Sequence, residues 1–291
     1  MTAVLLICSF AGCAQQGAAE PEQTPEEQPQ EGASDLIADA SEKTAVEDVV
    51  DESYVPIYAE NVKNGTYEIE VDSSSSMFNI VKCILTVTDD GMTADMTMGG
   101  TGYRYLYMGT PEEAVAAAES DYVLPEVDAD GAHHFVVPVE ALDKGIDCAA
   151  FSDNKEKWYD RVLVFRTASL SLSDFADGTF ATVKSLGLAD GAYTCEVMLS
   201  GGSGKATVQS PANITVRGGS ATAEIVWSSD KYDFMVVNGV TYTPVSLDPG
   251  ATFLIPVGAF DFALPVQADT IAMSTPHLID YTLRFDSSTI Q

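Results

Sequence analysis

Positive charge is what this chain has least of. Lys and Arg together number 14 in 291 residues, against 44 Asp and Glu, for a formal net charge of −30. So acidic a surface repels phosphate backbones and anionic bilayers, which excludes nucleic acid as a partner. Histidine is scarcer still: His133, His134 and His277 are the three, and none stands at zinc-ligand spacing from a cysteine. Catalytic motifs are missing too. No nucleophile elbow or phosphate loop follows a strand in the context catalysis requires, and "GGSGKAT" at 201–207 lacks the Walker spacing and lies between strand-like runs. The chain therefore reads as non-enzymatic. Beyond the N-terminus, no run is long and apolar enough for a membrane-spanning helix.

The one terminal apolar run is short. "MTAVLLICSFAGC" ends in Phe10-Ala11-Gly12-Cys13, which resembles the lipobox of bacterial lipoproteins, although no Lys or Arg precedes it. The resemblance implies that residues 1–13 act as a signal peptide and that Cys13 carries a lipid. The protein would then be extracytoplasmic, held at a bacterial cell surface. Residues 14–60 are dominated by Glu, Gln, Pro, Ala and Ser. They bury too little apolar surface to offset chain entropy, so a disordered acidic linker is expected.

Five cysteines divide by position. Cys8 and Cys13 belong to the terminal segment, leaving Cys83, Cys148 and Cys195, an odd number. Cys83 alternates with Val81, Leu85 and Val87 and should face a core, and Cys148 in "GIDCAAF" also falls on a strand-like run. Outside the cell these two either pair as an inter-sheet disulfide or remain small buried apolar side chains.

The most informative feature is a repeat. "NGTYEIEV" at 64–71 answers "DGAYTCEV" at 190–197, and "CILTVTDDGMTADMTMGGTGY" at 83–103 answers "ANITVRGGSATAEIVWSSDKY" at 212–232 without a gap. "HFVVPVEAL" at 134–142 answers "TFLIPVGAF" at 252–260, and "KWYDRVLVF" at 157–165 answers "HLIDYTLRF" at 277–285. Each unit spans about a hundred residues, an ordinary domain size. The pattern within a unit is β throughout: period-two runs broken by Asp-Gly, Gly-Gly and Asn-Gly. The expected architecture is all-β, two tandem immunoglobulin-like sandwiches at 61–170 and 188–291 with a linker at 171–187. Pro138 and Pro256 inside strand-like runs point to edges or bulges. Only the first unit carries "TPEEAVAAAE" at 110–119, which reads as a short helix with Thr110 as N-cap and Pro111 at its first position. "DGAHHF", with His133 and His134, reads as a solvated hairpin tip, and Met92, Met96 and Met98 as core filler.

In "MSTPHLIDYTLRFD", strand geometry puts His277, Ile279, Tyr281, Leu283 and Phe285 on one face. The pair is either a ligand-binding couple or the polar rim of a core strand. This arrangement, with "SSSSMFN" at 73–79 and the strand order, resembles the NEAT (near-iron transporter) domains of Gram-positive surface haem proteins. Those domains are immunoglobulin-like sandwiches that hold haem between an early lip and the last hairpin, through a Tyr-x-x-x-Tyr strand. The resemblance implies haem or a related iron or tetrapyrrole ligand, captured for uptake through a transporter. His277 takes the place of the iron-ligating Tyr, an imidazole being a common haem ligand, and Tyr281 that of its supporting Tyr. Met273 stands as a weak second ligand, and Ser75, Ser76, Met77 and Phe78 form the lip. The pattern is split: the first unit has the lip but Lys157 and Arg161 at the ligand positions, while the second has His277 and Tyr281 but "GGSGKATVQS" where the lip would be. The other function class that suits the fold is an adhesive module binding protein or glycan without a cofactor.

Overall fold

The structure is a computed structural model, and it describes residues 34–272 and 277–291. Eighteen strands, one short α-helix and six single-turn 3-10 helices make up the regular structure among the described residues. The first half contains β1 (Gly65–Glu68), β2 (Val71–Ser73), β3 (Ile80–Thr88), β4 (Gly91–Met98), β5 (Tyr103–Tyr107), α1 (Pro111–Ala116), β6 (Glu126–Val127), β7 (His133–Val139), β8 (Ile146–Ser152) and β9 (Lys157–Phe165). The second contains β10 (Gly191–Cys195), β11 (Val197–Gly201), β12 (Ala212–Arg217), β13 (Ser220–Val226), β14 (Tyr232–Val237), β15 (Val240–Tyr242), β16 (Thr252–Val257), β17 (Leu264–Thr270) and β18 (His277–Phe285). Each half forms two antiparallel sheets. Their orders are β1-β3-β4-β7-β6 with β2-β9-β8-β5, and β10-β12-β13-β16 with β11-β18-β17-β14-β15. These are the expected all-β sandwiches.

Alternation explains the packing. On β4, Met92, Ala94, Met96 and Met98 are buried while the residues between them turn outward. At the β14–β15 hairpin, Asn238 and Gly239 both have positive φ, 50° and 75°, as a two-residue turn of the primed type requires. Pro256 lies on the edge strand β16, and Pro138 lies where β7 pairs on one side only, with β4. Helix α1 starts as expected. Thr110 Oγ1 accepts from the Glu113 N–H at 3.2 Å, and the Glu113 carboxylate accepts from the Thr110 N–H at 2.8 Å, a capping box.

Four expectations need correction. Val81 does not share the inward face of Cys83; a bulge between Ile80 and Lys82 turns it out, leaving it 59% exposed. Cys83 and Cys148, on opposite sheets of the first sandwich, are both buried free thiols, so the disulfide alternative is not the one realised. His134 is no solvated turn: it lies in β7 with Nδ1 3.1 Å from Asp95 and Nε2 3.2 Å from Asp128. Finally, the later part of the acidic stretch is not disordered. Ala38 donates to the Trp158 carbonyl at 2.9 Å, Glu42 pairs with Lys157 at 2.6 Å, and Lys43 pairs with Asp160 at 2.7 Å. Further on, the Glu47 N–H donates to the Ser74 carbonyl at 2.9 Å, Arg166 to the Val49 carbonyl at 2.6 Å, and Ile57 is buried beside Leu142. Average composition hid these few apolar and edge-pairing residues.

The segment between the halves is anchored by aromatic side chains. Phe175, Phe180 and Phe262 stack edge to face with centroids 4.9–5.9 Å apart, and buried side chains form one cluster running through both halves.

Candidate functional site

Two places correspond to the residues singled out from sequence, one in each half. In the first half, the chain leaves β2 and makes a tight turn, the Phe78 N–H donating to the Ser75 carbonyl at 2.9 Å. This buries Phe78 and Ser75 and leaves Ser76 exposed and Met77 64% exposed. The Phe78 ring packs on Tyr103 at 5.1 Å, and the Tyr103 hydroxyl donates to the Met77 carbonyl at 3.2 Å. Facing this lip are Lys155 from the β8–β9 hairpin tip and Tyr159 and Arg161 from β9. Together they border a cleft of about 420 Å³, which Met98, Gly99, Gly100 and Gly102 also line. A Cβ added at Gly100 or Gly102 would meet nothing within 4 Å, so the cleft stays open there. Glu42 and Thr44 complete the wall, held there by Lys157 and by a 3.1 Å contact between Thr44 Oγ1 and Ser75 Oγ. The hydrogen bond to Glu42 raises the Lys157 amine above its ordinary pKa and keeps it protonated.

The corresponding place in the second half is filled. Trp227 lies 4.2 Å from the Tyr232 ring and 5.1 Å from the Tyr281 ring, and all three side chains are buried. The Tyr232 and Tyr281 hydroxyls meet at 3.3 Å; burial and this bond raise the Tyr232 phenol. Gly202, at φ +57°, lies over Tyr281 so closely that an added Cβ would fall 2.6 Å from the ring.

His277 is exposed at the first position of β18, opposite Thr270, on the same strand face as Tyr281. The Tyr281 hydroxyl is engaged with Tyr232. Near His277, burial and a hydrogen bond with Asp233 raise the carboxyl of Asp269, an effect the imidazole charge opposes. Met273 and Cys13 lie outside the described residues. Among the described residues, no group of three His, Cys, Asp or Glu side chains is arranged to hold a metal ion. Burial pushes the thiols of Cys83 and Cys148 up to about 12 and that of Cys195 to about 11, which makes all three poor nucleophiles and metal ligands at neutral pH.

The sequence singles out neither Tyr159 nor Met98 as a cleft residue, and Arg161 only as the residue at a haem-ligand position, yet all three wall the cleft. The signal was present for two of them: in "KWYDRVLVF", period two puts residues 157, 159, 161, 163 and 165 on one face, and Leu163 and Phe165 define that face as inward.

No protein-family model and no curated protein matches the chain. Among solved structures, seven chains match. One is the NEAT5 domain of IsdX2, a B. anthracis hemophore in complex with heme, 21% identical, covering 35% of this chain and 99% of that one at a TM-score of 0.27.

Proposed function

We propose that this chain is a non-enzymatic capture protein that takes haem or a related iron or tetrapyrrole compound for delivery to an uptake transporter. In this reading it is extracytoplasmic, held at a bacterial cell surface by a lipid on Cys13. The observation that carries the reading is the first-half cleft. The Ser75–Phe78 lip and the β8–β9 hairpin, distant in sequence, wall one cavity lined by Met77, Met98, Tyr103 and Tyr159. Its volume falls within the range of small-molecule sites.

The donor chemistry divides the candidates. Protonated Lys157 and Arg161 have no lone pair to give to iron. The Tyr159 phenol and the Met77 and Met98 thioethers do, and both ligand types occur in haem proteins. His277 offers an exposed imidazole in the second half, where the Tyr281 hydroxyl is already engaged with Tyr232.

Titrating the full chain with haem tests this. We expect a Soret band displaced from that of free haem, kept in His277→Ala and lost in Tyr159→Phe. Loss in His277→Ala with retention in Tyr159→Phe moves the ligand to the second half. A band that never moves sinks the haem reading and favours an adhesive module without a cofactor.

A further inference from the structure

Arg161 is a buried charge with no ion-pair partner among the described residues. It is 7% exposed, points into the sandwich interior opposite Cys148, and lines the first-half cleft. One guanidinium nitrogen, Nη1, donates to the Asp160 carbonyl at 2.6 Å, and the guanidinium carbon lies 5.2 Å from the Tyr159 ring centroid. Its Nε is buried without any hydrogen-bond partner, and among the described residues no carboxylate comes within salt-bridge distance of it. This occurs in a chain with three acidic side chains for every basic one, 44 against 14. A buried cation without a counter-ion destabilises a fold, and a guanidinium fork is shaped to receive a carboxylate through two parallel hydrogen bonds.

The surroundings of the cleft agree. Of its charged wall residues, Glu42 is already neutralised by Lys157 at 2.6 Å, which leaves Lys155 at the rim and Arg161 within. The cleft is a positive island on an acidic protein. Its other walls are flat or soft: the rings of Tyr103 and Tyr159, the thioethers of Met77 and Met98, and the bare backbone at Gly100 and Gly102.

We propose that the first-half cleft is a binding site for an organic carboxylate with a planar apolar body, and that Arg161 is its counter-ion. The site needs no iron. The proposal rests on the cleft being a ligand seat, as in the reading above, but not on haem as its occupant.

The test uses the full chain with two fluorescent probes, 1-pyrenebutyrate and the uncharged 1-pyrenebutanol. The acid should bind saturably and the alcohol at least tenfold more weakly. Arg161→Lys should bind the acid at an intermediate level, because a point charge replaces the fork. Arg161→Met should lose at least tenfold in affinity for the acid and melt at a higher temperature than the parent, because an apolar side chain of similar length removes the unpaired charge. Equal binding of acid and alcohol, undiminished binding by Arg161→Met, or no saturable binding of the acid would each overturn the proposal. So would a lower melting temperature in Arg161→Met, which would make the guanidinium a structural group. Haem binding that persists after any of these results keeps the capture reading and removes this one. Pyrenebutyrate binding by a chain that ignores haem does the reverse.

Discussion

The two halves share a strand plan, and they differ most tellingly at one spot. In the repeat, Met98 corresponds to Trp227, Tyr103 to Tyr232 and Arg161 to Tyr281. In the first half these three line an open cleft; in the second the same positions hold three packed aromatic rings. A thioether became an indole and a guanidinium became a phenol, and the added volume took the place of the cavity. The comparison teaches that two side chains decide whether this one spot is open or filled, with the backbone plan retained. It also gives Arg161 its context: where the space is filled, no cation is left inside.

The largest effect should come from emptying the filled half. Trp227→Ala removes a fully buried indole, and loss of about 3–5 kcal/mol is expected, typical of large aromatic truncations. Urea unfolding of the full chain measures it, and a loss below about 1 kcal/mol would mean that the indole is not packed as described. The converse substitution, Met98→Trp, should close the first-half cleft. Ligand affinity should fall more than tenfold, while overpacking costs about 1–3 kcal/mol. Unchanged affinity would show that the cleft is not the seat.

A smaller effect distinguishes the halves by pH. His134, between Asp95 and Asp128, has no counterpart at Thr252 in the repeat. The hydrogen bond to Asp128, with a further one to Asp95, raises its pKa above the ordinary value of 6.5. A raised folded-state pKa means that the stabilisation is fully present below the unfolded value and is lost as pH rises through the folded one. The urea midpoint should therefore fall as pH is raised from about 6 through the folded pKa, and His134→Asn should flatten that part of the profile. An identical slope in the variant would remove His134 from the account.

Much of the fold was legible because period-two burial and turn residues are local signals. Thr110-Pro111 began a helix and Asn238-Gly239 turned a hairpin for reasons contained in a few residues. What escaped was non-local. The bulge at Val81 depends on how β3 meets β4, and the docking of residues 37–57 depends on partners such as Trp158, Ser74 and Leu142, far along the chain. The site was half legible. The lip at Ser75–Phe78 was readable as a motif, but its meeting with Tyr159 and Arg161 required the sandwich to close. His277 attracted attention as a lone imidazole, whereas the buried arginine looked like a mismatch to a motif.

The ring cluster of Phe175, Phe180 and Phe262 bears on how the protein can be taken apart. Cutting the chain between its halves would bare a phenylalanine face on each fragment, an invitation to aggregate. Left whole, the shared cluster ties the unfolding of one half to that of the other, so heat should produce a single cooperative transition where a beads-on-a-string arrangement would produce two.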